Sequence, residues 1–190
     1  MRWRNTPARY GAVSRVLHWA IALAFVAQIP LGFLTQATAD QPALQFQLYQ
    51  WHKSMGFLVL SLAAVRALWS FANPKPRDAA GPHRAGAMLA RTAHAVLLLL
   101  TLAVPLTGWA IASTSPLQIP SFAFDLVLVP NLPMDVSDAA EAFWSNIHVW
   151  LAYGAGALVV IHASAAVYHA FRPHAGSLHG MLPQRRVQAR

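Results

Sequence analysis

Polar positions along this chain sit at the ends of long apolar runs rather than alternating with apolar ones. Four runs are long enough to cross a hydrocarbon core, which takes about 20 helical residues. They extend roughly over residues 14–35, 49–71, 89–113 and 145–171. The first has no charge between Arg15 and Asp40, and the third none after Arg91. The second carries Lys53 near its start and Arg66 inside it. The fourth has no Lys, Arg, Asp or Glu between Glu141 and Arg172. Pro30 and Pro105 fall inside spans, where neighbouring helices can satisfy the freed carbonyls. The pattern predicts an all-α, integral-membrane four-helix bundle, one domain over residues 1–190 whose residues 172–190 form a basic tail. No internal repeat is strong enough to use.

The connecting segments alternate in charge. Arg2, Arg4, Arg9 and Arg15 precede the first span, and Lys75, Arg77, Arg84 and Arg91 lie between the second and third. Arg172, Arg185, Arg186 and Arg190 follow the fourth. The other two connections carry Asp40, and then Asp125, Asp135, Asp138 and Glu141, with no basic residue. The positive-inside rule therefore predicts cytoplasmic termini. Trp19, Trp51, Trp69, Trp109, Trp144 and Trp150 fall near span ends, where indoles prefer the interface. A basic arm, an apolar run and Ala37-Thr38-Ala39 resemble a cleavable signal peptide. The run from Val16 to Leu34 is longer than a signal core of 7–15 residues, so it is read as a helix. The outer stretch 115–144 has several prolines among aromatics in its first half and receives no assignment beyond a cap on the bundle; Pro74 to Gly86 reads as a loop.

Composition agrees with a membrane protein. Hydrophobic residues are 56% and charged residues only 11%, against about 25% charged in soluble domains. The net charge of +8 comes from short patches between spans, a topology signal rather than a nucleic-acid stripe. With no cysteine, disulfides, iron–sulfur clusters, thiol catalysis and covalent c-type haem attachment are excluded.

Nine histidines in so apolar a chain call for an explanation. A single intramembrane histidine is either a hydrogen-bonded packing residue or a functional group. Their spacing narrows the choice. His148 and His162, fourteen residues apart, share one helix face about 21 Å apart in depth. Alternating helix direction places His18 at the depth of His162 and His52 at that of His148. Two facing imidazoles across an apolar bundle suit the axial positions of a haem iron. Zinc prefers four protein ligands, or three with water. Gly56, Gly154 and Gly156 leave room for a flat ring, but ordinary helix packing explains them as well.

These residues sit in fragments that resemble the bacterial cytochrome b561 family, small four-helix di-haem membrane proteins. The fragments are Arg9-Tyr10 with Leu17-His18-Trp19, and His52-Lys53-Ser54-Met55-Gly56 with Val65-Arg66. His94 with Val104-Pro105-Leu106-Thr107-Gly108 follows. Ile147-His148, Ile161-His162-Ala163, Tyr168-His169 and Met181-Leu182-Pro183 complete the set. The resemblance covers residues 9 to 183 and implies two non-covalent b haems on His18, His52, His148 and His162. It also implies electron transfer with quinone, ubiquinone as the expected substrate, in the bacterial inner membrane. Superoxide is a donor the resemblance raises. Yet the outer segments carry five acids with Lys53 as the one base, a field that repels anions.

Arg66 lies fourteen residues beyond His52, level with the inner pair; it either meets a haem propionate or snorkels to headgroups. Lys53 has the same choice at the outer level. His94 and His169, with Arg91 one turn before His94, lie near the inner surface and are read as quinone contacts. A propionate or headgroup role competes with that reading. His83, His174 and His179 are read as solvated. Two other readings stand beside the di-haem cytochrome: a membrane subunit of a hydrogenase or dehydrogenase, and a histidine-lined metal or proton transporter. The second is disfavoured by the lack of intramembrane acids.

Overall fold

The computed structural model describes residues 3–7, 9–74, 76 and 84–171. The basic tail 172–190, Lys75, Arg77, Asp78, His83, His174 and His179 lie outside the described residues. Four helices carry the fold: α1 (Ala12–Ala37), α2 (Pro42–Ala72), α3 (Arg84–Thr114) and α4 (Asp138–Ala170). All four are long and apolar enough to cross a membrane. Between α3 and α4 lies a short antiparallel hairpin, β1 (Ser121–Ala123) and β2 (Val127–Val129).

The helices outrun their apolar runs. Helix α2 begins at Pro42, a residue suited to a first turn where its missing N–H costs nothing. Helix α4 begins at Asp138, with the Ser137 side chain accepting from the Ala140 N–H and two acids in the first turn. Hydropathy marks where lipid begins, whereas caps mark where the helix begins; these differ by about two turns at both starts. The 31 residues of α2 rise about 46 Å against a core of about 30 Å, so part of it stands in the headgroup layer or beyond.

Successive helices run in opposite directions. Helix α1 packs on α2, α2 on α3 and α3 on α4, while α1 and α4 touch sparsely. The core is made of Ala24, Phe25, Val59 and Ala155, with Met55, Leu100, Val104 and Val159 against it. It is small-residue rich because lipid is as apolar as a leucine, so helices associate through close approach rather than burial of bulk. Large side chains such as Leu68, Phe71, Leu99 and Val160 are turned outward, as a lipid-facing surface requires.

The stretch left without assignment forms a cap on α2. Ser54, buried, donates to the carbonyls of Gln50 and Phe122 and accepts from the Phe124 N–H. Gln50 and Lys53 both donate to the Pro120 carbonyl, at 3.2 Å each. Non-helical backbone near the membrane must have its polar groups satisfied by protein, and one turn and a half of α2 does this. The hairpin turns through Phe124 and Asp125, with φ of 53° and 57°. Neither is a glycine, so this turn holds strain that the Ser54 anchor offsets. Trp51 meets Phe124 edge-on at 6.0 Å, and Trp109 Nε1 donates to the Pro130 carbonyl.

Candidate functional site

Two histidine pairs stand at two depths of the bundle. His18 of α1 faces His162 of α4 with ring centres 6.4 Å apart, and His52 of α2 faces His148 of α4 at 6.2 Å. Each pair borders an open-sided cavity. The one at His52 and His148 is lined by groups such as Phe25, Gln28, Val59 and Pro105. The one at His18 and His162 is lined by groups such as Phe25, Arg66, His94 and Thr101.

A distance near 6.3 Å has two explanations. Edge-on aromatic pairs occupy the same range. Two metal–imidazole bonds of about 2.0–2.1 Å, extended to the ring centres, also span roughly 6 Å. Ring orientation separates them at His148. Its Nδ1 lies 3.0 Å from the Val104 carbonyl and 3.0 Å from Thr107 Oγ1. That hydroxyl spends its own proton on Val104 O at 2.7 Å, so both neighbours act as acceptors. Nδ1 must carry the ring proton, and Nε2 keeps a lone pair, the state a metal ligand needs. His52 Nδ1 is buried and without a hydrogen-bond partner among the described residues.

Each of these rings rests on a glycine of the neighbouring helix. A Cβ on Gly32 would lie 3.3 Å from His52 Cε1, and a Cβ on Gly108 would lie 3.3 Å from His148 Cε1. Either methyl would push its ring toward the cavity. The glycines singled out from sequence do less. Gly154 would meet nothing, Gly156 only Ile29, and Gly56 the Gln28 amide at 3.4 Å. Gln28 also donates to the His52 carbonyl, with its Oε1 buried and unpaired. The seats were detectable in principle, because Gly32 and Gly108 each follow a span proline closely.

The other expected residues divide. Arg66 reaches into the cavity and donates to His18 Nδ1 at 3.1 Å. Lys53 instead donates to the Pro120 carbonyl of the hairpin cap. His94 lines the cavity and meets His162 at 5.2 Å, too close for a metal between the rings. Arg91 and His169 are exposed and do not line that cavity; His169 packs edge-on against Tyr168. No group of three or more metal-ligating residues occurs among the described residues, so the donor set is two imidazoles per level. That fits an iron whose four equatorial positions come from a porphyrin.

Comparison with known proteins gives a consistent picture. The profile described as prokaryotic cytochrome b561 matches residues 9–184. The chain is 30% identical over 183 residues to a cytochrome b561 homolog 2 from Escherichia coli strain K12, covering 96% of this chain and 95% of that one. It is 26% identical over 182 residues to a probable superoxide oxidase CybB from Yersinia pestis, covering 94% and 98%.

Proposed function

Because the chain belongs to the prokaryotic cytochrome b561 family of haem b membrane proteins, we propose that it carries two b haems at two depths and moves electrons across the bacterial inner membrane to or from ubiquinone. The observation that carries this reading is the repetition of one geometry, a pair of imidazoles 6.2 Å and 6.4 Å apart beside a cavity, at both levels. His52 and His148 would hold one haem, and His18 and His162 the other. A bound haem supplies a one-electron couple whose potential the surroundings set. The protein's part is to hold the imidazoles, exclude water and place charge.

Val104 and Thr107 fix the His148 tautomer, while Gly32 and Gly108 let two rings lie close against their neighbouring helices. At the other level, an Nε2 lone pair on His18 requires the proton on Nδ1. Arg66 would then turn away from His18, and its guanidinium becomes available to a carboxylate such as a propionate. A haem held by two histidines would supply electron transfer rather than oxygen activation. The charge asymmetry of the connections supports cytoplasmic termini, with the hairpin end outside.

Quinone reduction or oxidation belongs at the His18 level, where His94 lines the cavity and His169 and Arg91 lie towards the same end. Histidine both contacts a quinone oxygen and exchanges protons near neutral pH. A second reading, superoxide as outer donor, draws on the relative from Yersinia pestis. Against it, Asp125, Asp135, Asp138 and Glu141 flank the cap, and Lys53 is occupied by a carbonyl. Steady-state reduction of the purified holoprotein by quinol and by superoxide tests both. Reduction by quinol, or reoxidation of the reduced haems by ubiquinone, sensitive to His94→Phe, supports the first reading; exchange with neither overturns it. A preparation without a reducible b-haem spectrum removes the proposal altogether.

A further inference from the structure

The two cavities share a property that the sequence does not display. At the His18 level, α1 contributes His18, Ile21 and Phe25, and α3 contributes His94, Leu97 and Thr101. The three α3 residues follow their α1 counterparts by one constant interval. The same interval relates Gln28 and Ile29 of α1 to Val104 and Pro105 of α3 in the other cavity. It also relates the two ring-bearing glycines, Gly32 and Gly108, whose Cβ positions both fall 3.3 Å from a histidine Cε1. Helices α2 and α4 keep an interval of their own. It joins His52 to His148 and Gly56 to Ala152 in one cavity. It joins Arg66 to His162 in the other, and Val59 to Ala155 in the core.

Two helices that run in one direction and face one axis keep a constant interval, because both rise about 1.5 Å per residue. Here each helix pair presents matching positions at both depths and in the core between them. The α1–α2 pair and the α3–α4 pair therefore present equivalent positions about an approximate two-fold axis along the bundle, although α2 packs on α3 while α1 and α4 touch sparsely. At the His52 level the two-fold is kept in chemistry as well: His52 and His148 are mates, each seated on a mated glycine. At the His18 level it is broken. The mate of His162 is Arg66, and the mate of His18 is His94.

We infer that residue 66 is a latent ligand position, equivalent on α2 to His52, and that the site at the His18 level takes its second imidazole from α1 where α2 presents an arginine. This rests on the proposed ligand assignment. Arg66 lines the cavity of His18 and His162 and donates to His18 Nδ1, 3.1 Å away, so the side chain at 66 already reaches that cavity. An imidazole there would face His162 as His52 faces His148, from α2 to α4, since both pairs are offset by the same fourteen residues along their helices.

The test uses the full-length chain in detergent, read by haem-to-protein ratio and by low-temperature EPR of the oxidised haems. His18→Ala is expected to fall from two haems to one. Adding Arg66→His to it restores two, the second with a low-spin bis-histidine signal. Adding Arg66→Gln instead leaves one. The EPR signal of the retained haem shows in each variant that the bundle is intact. One haem in His18→Ala/Arg66→His overturns the inference while leaving the ligand assignment standing. Restoration by Arg66→Gln also overturns it, because the new ligand is then not residue 66. Two haems in His18→Ala alone sinks the ligand assignment, and the inference with it.

Discussion

At the scale of single residues, the site depends on a few contacts that hold rings in one orientation. His52→Ala and His148→Ala should each remove one haem, and His18→Ala and His162→Ala the other, each halving the haem-to-protein ratio. Depletion of the same haem by His18→Ala and His52→Ala would refute the pairing by depth. The glycine seats make a finer claim. A methyl 3.3 Å from His52 or His148 forces the ring to give by a few tenths of an ångström, and such overpacking costs about 1–3 kcal/mol. Gly32→Ala and Gly108→Ala should therefore weaken the same haem, by roughly 5- to 150-fold, in a titration of apoprotein with hemin. Arg66→Leu should lower the reduction potential at the His18 level, because a cation favours the electron-rich state. A unit charge about 10 Å away at an effective dielectric of ~20 contributes about 1–2 kcal/mol, or roughly 40–90 mV. An unchanged potential in a redox titration of fully loaded protein would return Arg66 to a headgroup role.

At the scale of elements, the hairpin cap is held by α2 rather than by its own turn. Ser54→Ala would leave the Phe122 carbonyl and the Phe124 N–H unpaired, at about 1–3 kcal/mol for buried groups, beside a turn already strained at Phe124 and Asp125. The cap should then open while the helices persist. Chymotrypsin added to reconstituted vesicles should cut near Phe124 and Leu126 faster than in the wild type, with helical circular dichroism unchanged. Equal cleavage rates would mean the cap stands on other contacts. This element was not legible in the sequence. Its strands are three residues long, its turn lacks the glycine that usually announces a hairpin, and its edge is satisfied by side chains of a distant helix. The four spans were legible, because only a bilayer explains such runs. Their true starts were not, since Pro42 and Asp138 lie in polar stretches that hydropathy discounts.

At the scale of the whole molecule, the difficulty is to know which face of each helix points inward. In water a helix declares its buried face by apolar periodicity; in lipid both faces are apolar, so only polar and small residues mark the interior. That is why His18, His52, His148 and His162 could be paired by depth from sequence, while which ring each of Gly32 and Gly108 carries, and the placement of His94 against His162, could not. It is also why the equivalence of Arg66 to His52 stayed hidden, the landmarks being separated by interchangeable Leu, Val and Ala. The orientation of the bundle is directly testable because the chain has no cysteine. A membrane-impermeant maleimide should label Asp125→Cys in spheroplasts, which expose the outer face, and leave Arg4→Cys unlabelled until the inner membrane is opened. The reverse pattern would invert the topology.

Helix α4 supplies one histidine at each level and is the last of the four to leave the ribosome. On the proposed ligation, neither cofactor can be gripped from both sides while translation is still under way. The first three helices enter the bilayer as an unfinished trough, and pigment capture waits for the final insertion, then happens at both depths together. A nascent chain arrested before Ser137 should emerge colourless. Supply of haem would thus be sampled only at the end of synthesis.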